Sequence, residues 1–202
     1  MSKYDVCIDQ ILDTEINNII AVKKSLNRDT MEQVIEMLLK VKPEGKKVIT
    51  AGCGTSGTLA QRVAHSLCVV EVPACFCAPG NSIHGGMGII QKDDVVVLFS
   101  KGGNTPEILN YIPCAKAKGA KIIGVTQNDD SALARHSDIY FKIFCEHEVD
   151  IWDMCASASC NTIAAVWDAV AFTIMRYNGY TKEDLLLTHP GGKVGEMLKS
   201  EK

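Results

Sequence analysis

The stretch 46-KKVITAGCGTSGTLAQRVAHSL-67 decides the fold. Its first part is a short β-rich apolar run, Val48 to Ala51, and its second part sets Leu59, Val63, Ala64 and Leu67 at helical spacing from near Thr55 onward. Between them Gly52, Gly54 and Gly57 have the spacing G-x-G-x-x-G. A strand that passes through a glycine turn directly into a helix is the start of a crossover unit, because parallel strands are joined through helices.

The same alternation continues downstream. Pro73–Ala78 (PACFCA), Asp93–Ser100 (DDVVVLFS), Ala120–Gln127 (AKIIGVTQ) and Ser137–Ile143 (SDIYFKI) are strand-like. Helical patterns fall at about Pro106 to Lys118 and Ser131 to His136. The expected fold is therefore α/β: three α-β-α layers around a parallel sheet. Upstream, Ile8, Ile11, Leu12, Ile16, Ile19 and Ile20, then Met31, Val34, Ile35, Leu38 and Leu39, mark two amphipathic helices over residues 5–41 with a break near Asn27-Arg28-Asp29. A last helix, about Ser157 to Tyr177, carries Ile163, Val166, Val170, Phe172, Ile174 and Met175 and is apolar on more than one side. Such a helix is expected to lie between the sheet and a partner subunit.

With 202 residues, 47% hydrophobic and 22% charged, the chain suits one α/β domain over residues 1–202. It comprises N-terminal helices (about 5–41), a parallel core (about 46–145) and a C-terminal helical segment (about 156–198). No apolar run reaches bilayer length, and MSKYDVCIDQ has no basic region followed by an apolar stretch, so the cytoplasm is the expected compartment and no membrane partner is expected. A net charge of −3, from 24 acids against 21 bases, with Lys116, Lys118 and Lys121 scattered, argues against nucleic acid. Most of the nine cysteines lie in apolar runs (Cys68, Cys75, Cys77, Cys114, Cys145) and are read as reduced core thiols. Cys75-x-Cys77 with His84 downstream lacks a second pair at zinc spacing, so no metal is expected.

The glycine loop lies at the carboxyl end of the first strand, where open parallel sheets bind ligands, and the next helix offers free N–H groups to an anion. No lysine follows Gly57 as a P-loop requires, and the Pro73–Ala78 strand ends in Cys77-Ala78 rather than in an acid that could bind ribose. Both a nucleoside triphosphate and NAD are disfavoured. Hydroxyls support a third reading: Thr55, Ser56 and Thr58 on this loop, and Ser100-Lys101-Gly102-Gly103-Asn104-Thr105 at the end of the third strand, again before a helix. Either loop alone is as well explained by a tight turn with a helix cap. Together they suit one phosphate monoester held by neutral hydrogen bonds and helix dipoles.

The ordered motifs GCGTSG, NSIHGGMGII, FSKGGNTPEI, EVDIWDMCASASCNT and LTHPGGKVGEML, over about Lys46 to Leu198, resemble the sugar isomerase (SIS) domain and within it the arabinose 5-phosphate isomerases. The resemblance implies a flavodoxin-like five-stranded parallel sheet, a homodimer or homotetramer with sites near subunit contacts, and aldose–ketose isomerisation of a phosphorylated sugar without a cofactor. It implies substrate contacts at Gly54, Thr55, Ser56, Ser100, Lys101, Gly103, Asn104 and Thr105. It implies catalytic roles for Glu148, His84 and His189: Glu148 as enolising base, and His189, reaching a neighbouring subunit's site, moving protons between oxygens or helping to open the ring, with the two roles exchangeable. Family members often carry a paired regulatory domain after this one; with the chain ending at Lys202, none is expected.

Some positions depart from the pattern. Thr55 stands where the family usually has lysine, and Gly102 and Asn104 stand for the second serine and the glutamate of S-x-S-G-E-[ST]. Asp150 and Ile151 replace a frequent cysteine and proline. These changes touch groups that read the sugar, so they bear on substrate choice more than on reaction class. Lys101 restores a charge as a phosphate point charge, or faces solvent. The competing readings are a non-catalytic sugar-phosphate sensor and an isomerase of hexulose or heptose phosphates.

Overall fold

The computed structural model describes residues 2–200. Its five strands are β1 (Val48–Gly52), β2 (Ala74–Phe76), β3 (Val95–Phe99), β4 (Lys121–Thr126) and β5 (Ile139–Lys142). They form one parallel sheet in the order β2-β1-β3-β4-β5, the flavodoxin-like order, which reverses between β1 and β3. Register pairs Gly52 with Phe99 and Phe99 with Val125, so the loops leaving β1, β3 and β4 emerge side by side.

The helices are α1 (Asp5–Ser25), α2 (Arg28–Val41), α3 (Gly54–Val69), α4 (Pro79–Ser82), α5 (Pro106–Leu109) and α6 (Tyr111–Lys118). After these come α7 (Ala132–His136), α8 (Ala158–Tyr177), α9 (Lys182–Thr188) and α10 (Gly192–Ser200). A short 3-10 turn covers Gly86–Ile89. Asn27 ends the break between α1 and α2 by accepting a hydrogen bond from Thr30 N–H, as an N-cap should. The single helix expected at Pro106 to Lys118 divides at Asn110 into α5 and α6.

Alternation along β3 builds two cores. Val95, Val97 and Phe99 pack under α2, α3 and α8, while Val96 and Leu98 pack under α5, α6 and α7. Trp167 of α8 closes the first core, edge-on to Phe99 (5.6 Å between ring centroids) and Phe141 (6.2 Å). Asp94, buried just before β3, accepts from Lys47 N–H (3.1 Å), Lys47 Nζ (2.7 Å) and Gln91 N–H (2.8 Å), which pins the register of β1 against β3.

Several expectations change. By length and composition α8 could cross a bilayer, contrary to the run-length reading, but 61% of its most apolar window is buried inside the protein. Helices α1, α2 and α3 cover it, so its outer side is taken up within the chain, although Phe172 stays exposed. The face left uncovered belongs to α1: Ile8, Ile11, Leu12, Ile16, Ile19 and Ile20, the apolar stripe of the first amphipathic helix, are exposed, and the residues α1 buries are Asn18 and Val22. Cys68 is exposed, Cys75 and Cys114 are half-buried, and Cys77 and Cys145 are buried as expected. Strand β2 is a half-buried edge, which explains why Cys75 and Phe76 are not core.

Candidate active site

The turn between β1 and α3 is shaped by glycine. A Cβ on Gly52 would lie 2.3 Å from the carbonyl oxygen of Ser56, and Gly54 has φ +54°, so the chain turns back on itself tightly enough to aim the start of α3 at the strand end. No side chain caps α3, which leaves its first-turn amides free beside Thr55 and Ser56.

The loop after β3 is also pre-formed. Ser100 Oγ lies 2.8 Å from Thr105 Oγ1 and accepts from Gly103 N–H at 3.1 Å. Gly103 has φ +69°, and a Cβ there would meet Ser131 Oγ at 2.2 Å. Asn104 turns its side chain away from a ligand: Oδ1 accepts from Ala132 N–H (2.9 Å) and Nδ2 donates to Gly102 O (3.4 Å). It ties the loop to α7. The Lys101 carbonyl accepts from Thr126 Oγ1 (2.9 Å) and Gln127 N–H (3.2 Å), so the backbone at Lys101 is fixed while its side chain crosses toward α8.

There Lys101 Nζ donates to Glu148 Oε1 at 2.6 Å. Glu148 is wholly enclosed, its side chain 0% exposed, whereas that of Lys101 is 33% exposed. The other Glu148 oxygen accepts from Ser157 N–H (2.9 Å), Ser157 Oγ (3.3 Å) and Ser159 N–H (3.1 Å), and Ser159 Oγ donates to Oε1. Glu148 thus anchors the uncapped start of α8. Burial pushes its pKa up, but the hydrogen bonds from Lys101, Ser159 and the main chain of Ser157 outweigh it and hold the carboxyl at about 2.

Cys160 links this carboxylate to the glycine loop. Its thiol is pushed up first by burial and then by the Glu148 charge, with Ser56 and Ser159 pulling it partly back. Thr55 and Thr58 of the glycine-loop helix thus share one hollow with Ser157 and Cys160 at the start of α8, while Lys101 reaches Glu148 from the neighbouring strand end that also carries Ser100 and Thr105. The open hollow, of about 720 Å³, is also lined by Arg62, Asn161 and Asp168. Asn18 of α1 clamps the approach to Glu148, donating to His147 O (2.8 Å) and accepting from Glu146 N–H (2.9 Å).

The two histidines stand elsewhere. His84 is exposed in the turn after α4, held through its main-chain N–H to Asn81 O (3.2 Å). His189 caps α9 with Nδ1 3.2 Å from Thr188 Oγ1. The partners of Glu148 are Lys101, Ser157 and Ser159, not either imidazole. Helix α9 buries no residue and α10 buries Gly195 alone among the described residues, so this arm stands away from the core and exposes Leu187, Val194 and Met197.

The SIS domain family model matches residues 44–180, which is most of the chain and spans every element of the sheet. The chain belongs to the SIS domain family. Arabinose 5-phosphate isomerase KdsD of Pseudomonas aeruginosa is 32% identical over 170 residues, covering 84% of this chain and 51% of that protein. The chain spans about half the length of the curated relatives it matches. A Listeria monocytogenes crystal structure carrying the provisional name sugar-phosphate isomerase superposes with a TM-score of 0.90 at 39% identity, covering 95% of this chain and 100% of that one. An Escherichia coli CFT073 protein in complex with arabinose 5-phosphate superposes with a TM-score of 0.87 at 30% identity, covering 94% and 100%.

Within this SIS domain, Ser157, Ser159 and Cys160 escaped the reading of the sequence as site residues. Their only signal was the small, hydroxyl-rich run ahead of α8, which a helix start explains equally well.

Proposed function

We propose that the protein isomerises a phosphorylated sugar between its aldose and ketose forms through an enediol, as an arabinose 5-phosphate isomerase-like enzyme. The observation that carries this is the convergence of two pre-formed, hydroxyl-bearing strand-end loops on one enclosed carboxylate, Glu148. The phosphate binds the free amides at Gly54, Thr55 and Ser56, the hydroxyls of Thr55, Ser56, Ser100 and Thr105, the main chain at Gly103 and Asn104, and the Lys101 ammonium. Glu148 removes the proton from the carbon next to the carbonyl and returns it to the neighbouring carbon. His189 carries the proton between the two oxygens, and His84 assists ring opening. Names borne by the relatives, and the arabinose 5-phosphate complex of the Escherichia coli protein, favour a pentose 5-phosphate.

The active form is a homo-oligomer in the cytoplasm, a dimer or tetramer. The uncovered stripe of α1 and the outlying arm that bears His189 support this: an apolar stripe of that kind seeks a partner, and an arm whose helices bury almost nothing is placed to extend toward another copy. The test is a panel of pentose, hexose and heptose phosphates in heavy water, followed by NMR. Conversion with deuterium entering beside the carbonyl supports the enzyme. Binding without exchange favours the second reading, a sugar-phosphate sensor, whose support is that every oxygen of Glu148 is already engaged.

A further inference from the structure

A base must touch the proton it removes, and an oxygen with no exposed surface cannot. Glu148 is in that state: its side chain has no exposure, and Lys101, from the loop where the phosphate would sit, donates to Oε1. Four of its five donors are main-chain amides or hydroxyls of Ser157 and Ser159 at the rigid start of α8. The fifth, Lys101, is different in kind. Its ammonium rides on a flexible four-carbon stem, one third exposed, from a backbone position that the Thr126 hydroxyl and Gln127 amide hold still.

We propose that Lys101 is shared between two partners, Glu148 in the resting protein and the substrate phosphate in the complex, so that binding of the phosphate itself takes the cation off Oε1 of Glu148 and leaves the Ser159 hydroxyl as that oxygen's remaining donor. The inference rests on the isomerase reading and deepens it, since it says when the base becomes available. No proton is transferred in the switch: one Nζ–H···O bond to a carboxylate is exchanged for one to a phosphate oxygen. Two negative partners compete for one cation, and a dianionic phosphate can draw the one-third-exposed ammonium off the carboxylate because the α8 donors remain to hold the Glu148 charge. With Lys101 gone, Glu148 keeps its α8 donors, so it stays placed while losing the cation that most depresses its basicity. The remaining titratable groups around it are Cys145 from the end of β5, Cys160 of α8, Cys7 of α1, and the His147–Asp153 pair with Asp150.

The test needs no turnover. Carboxyl carbons of glutamate are labelled with carbon-13, the Glu148 signal is assigned by its loss in Glu148→Gln, and its chemical shift is followed at about pH 8, where phosphate is a dianion, with and without saturating inorganic phosphate, whose binding is checked by phosphorus-31 NMR. In the wild type, phosphate moves the Glu148 carboxyl shift away from its resting value. In Lys101→Met the shift is already displaced without phosphate and phosphate leaves it unchanged. A wild-type shift indifferent to bound phosphate overturns the switch while leaving the isomerase reading intact. Failure of phosphate to bind the wild type overturns the switch and the proposed phosphate site with it. The wild-type arm stands alone should the variant not fold.

Discussion

Lys101 and Glu148, 47 residues apart in sequence, meet at 2.6 Å between the loop after β3 and the segment ahead of α8. That one contact joins the proposed phosphate loop to the proposed base. It also gives the carboxylate its strongest reason to stay ionised.

Glu148→Gln removes the base while keeping the shape. Isomerisation by the purified variant is expected to fall by roughly 10²–10⁴-fold. Phosphate binding, measured by phosphorus-31 line broadening, stays within a few-fold of wild type. Full activity in this variant excludes Glu148 as the base.

The depressed pKa of Glu148 makes a statement about stability. Its folded value of about 2 lies below the ordinary 4.5, so the native state holds fewer protons than the unfolded state between those values. Its contribution is present above about pH 4.5 and is lost as pH falls toward 2. Urea unfolding of wild type and Glu148→Gln should show a stability difference that narrows across that window and is flat between pH 6 and 8.

Asp94 is buried with three donors from Lys47 and Gln91. Asp94→Ala leaves those groups unpaired at the foot of β1 and β3. A loss of roughly 3 kcal/mol in denaturant unfolding is expected, with the phosphate loops at the opposite end of the sheet still competent to bind.

Gly103→Ala tests the loop geometry directly. The added methyl would stand 2.2 Å from Ser131 Oγ on a backbone of positive φ, so the loop must shift and take the Ser100 and Thr105 hydroxyls with it. Phosphate affinity should drop about tenfold or more, with global stability lowered by roughly 1–2 kcal/mol.

If His189 serves another copy's site, two inactive variants must repair each other. Glu148→Gln and His189→Ala, unfolded together and refolded as mixed oligomers, should regain activity that neither shows alone. Charged substitutions at Leu12 and Ile16 on the exposed stripe should yield monomers by sedimentation and abolish that repair. A wild-type monomer at micromolar concentration removes the proposal.

The sequence by itself determined the α/β class, the strand positions and the two loops, because glycine turns, β-branched runs and helical spacing are local signals written in neighbouring residues. Val95 to Phe99, an unbroken β-branched and apolar run read as a strand, is a strand buried along its whole length. Sequence also singled out Glu148, through motif order rather than through any visible partner. Only the tertiary structure decided what each apolar face meets: a stripe at helical spacing is the same pattern whether it packs within the chain or waits for another subunit, which is why α8, expected to face a partner subunit, is covered by α1, α2 and α3 while α1 carries the stripe left open. It alone brought Lys101, 47 residues away, together with Ser157 and Ser159 around Glu148, since such hydrogen bonds leave no periodic trace, and those contacts set whether that carboxylate is free to act.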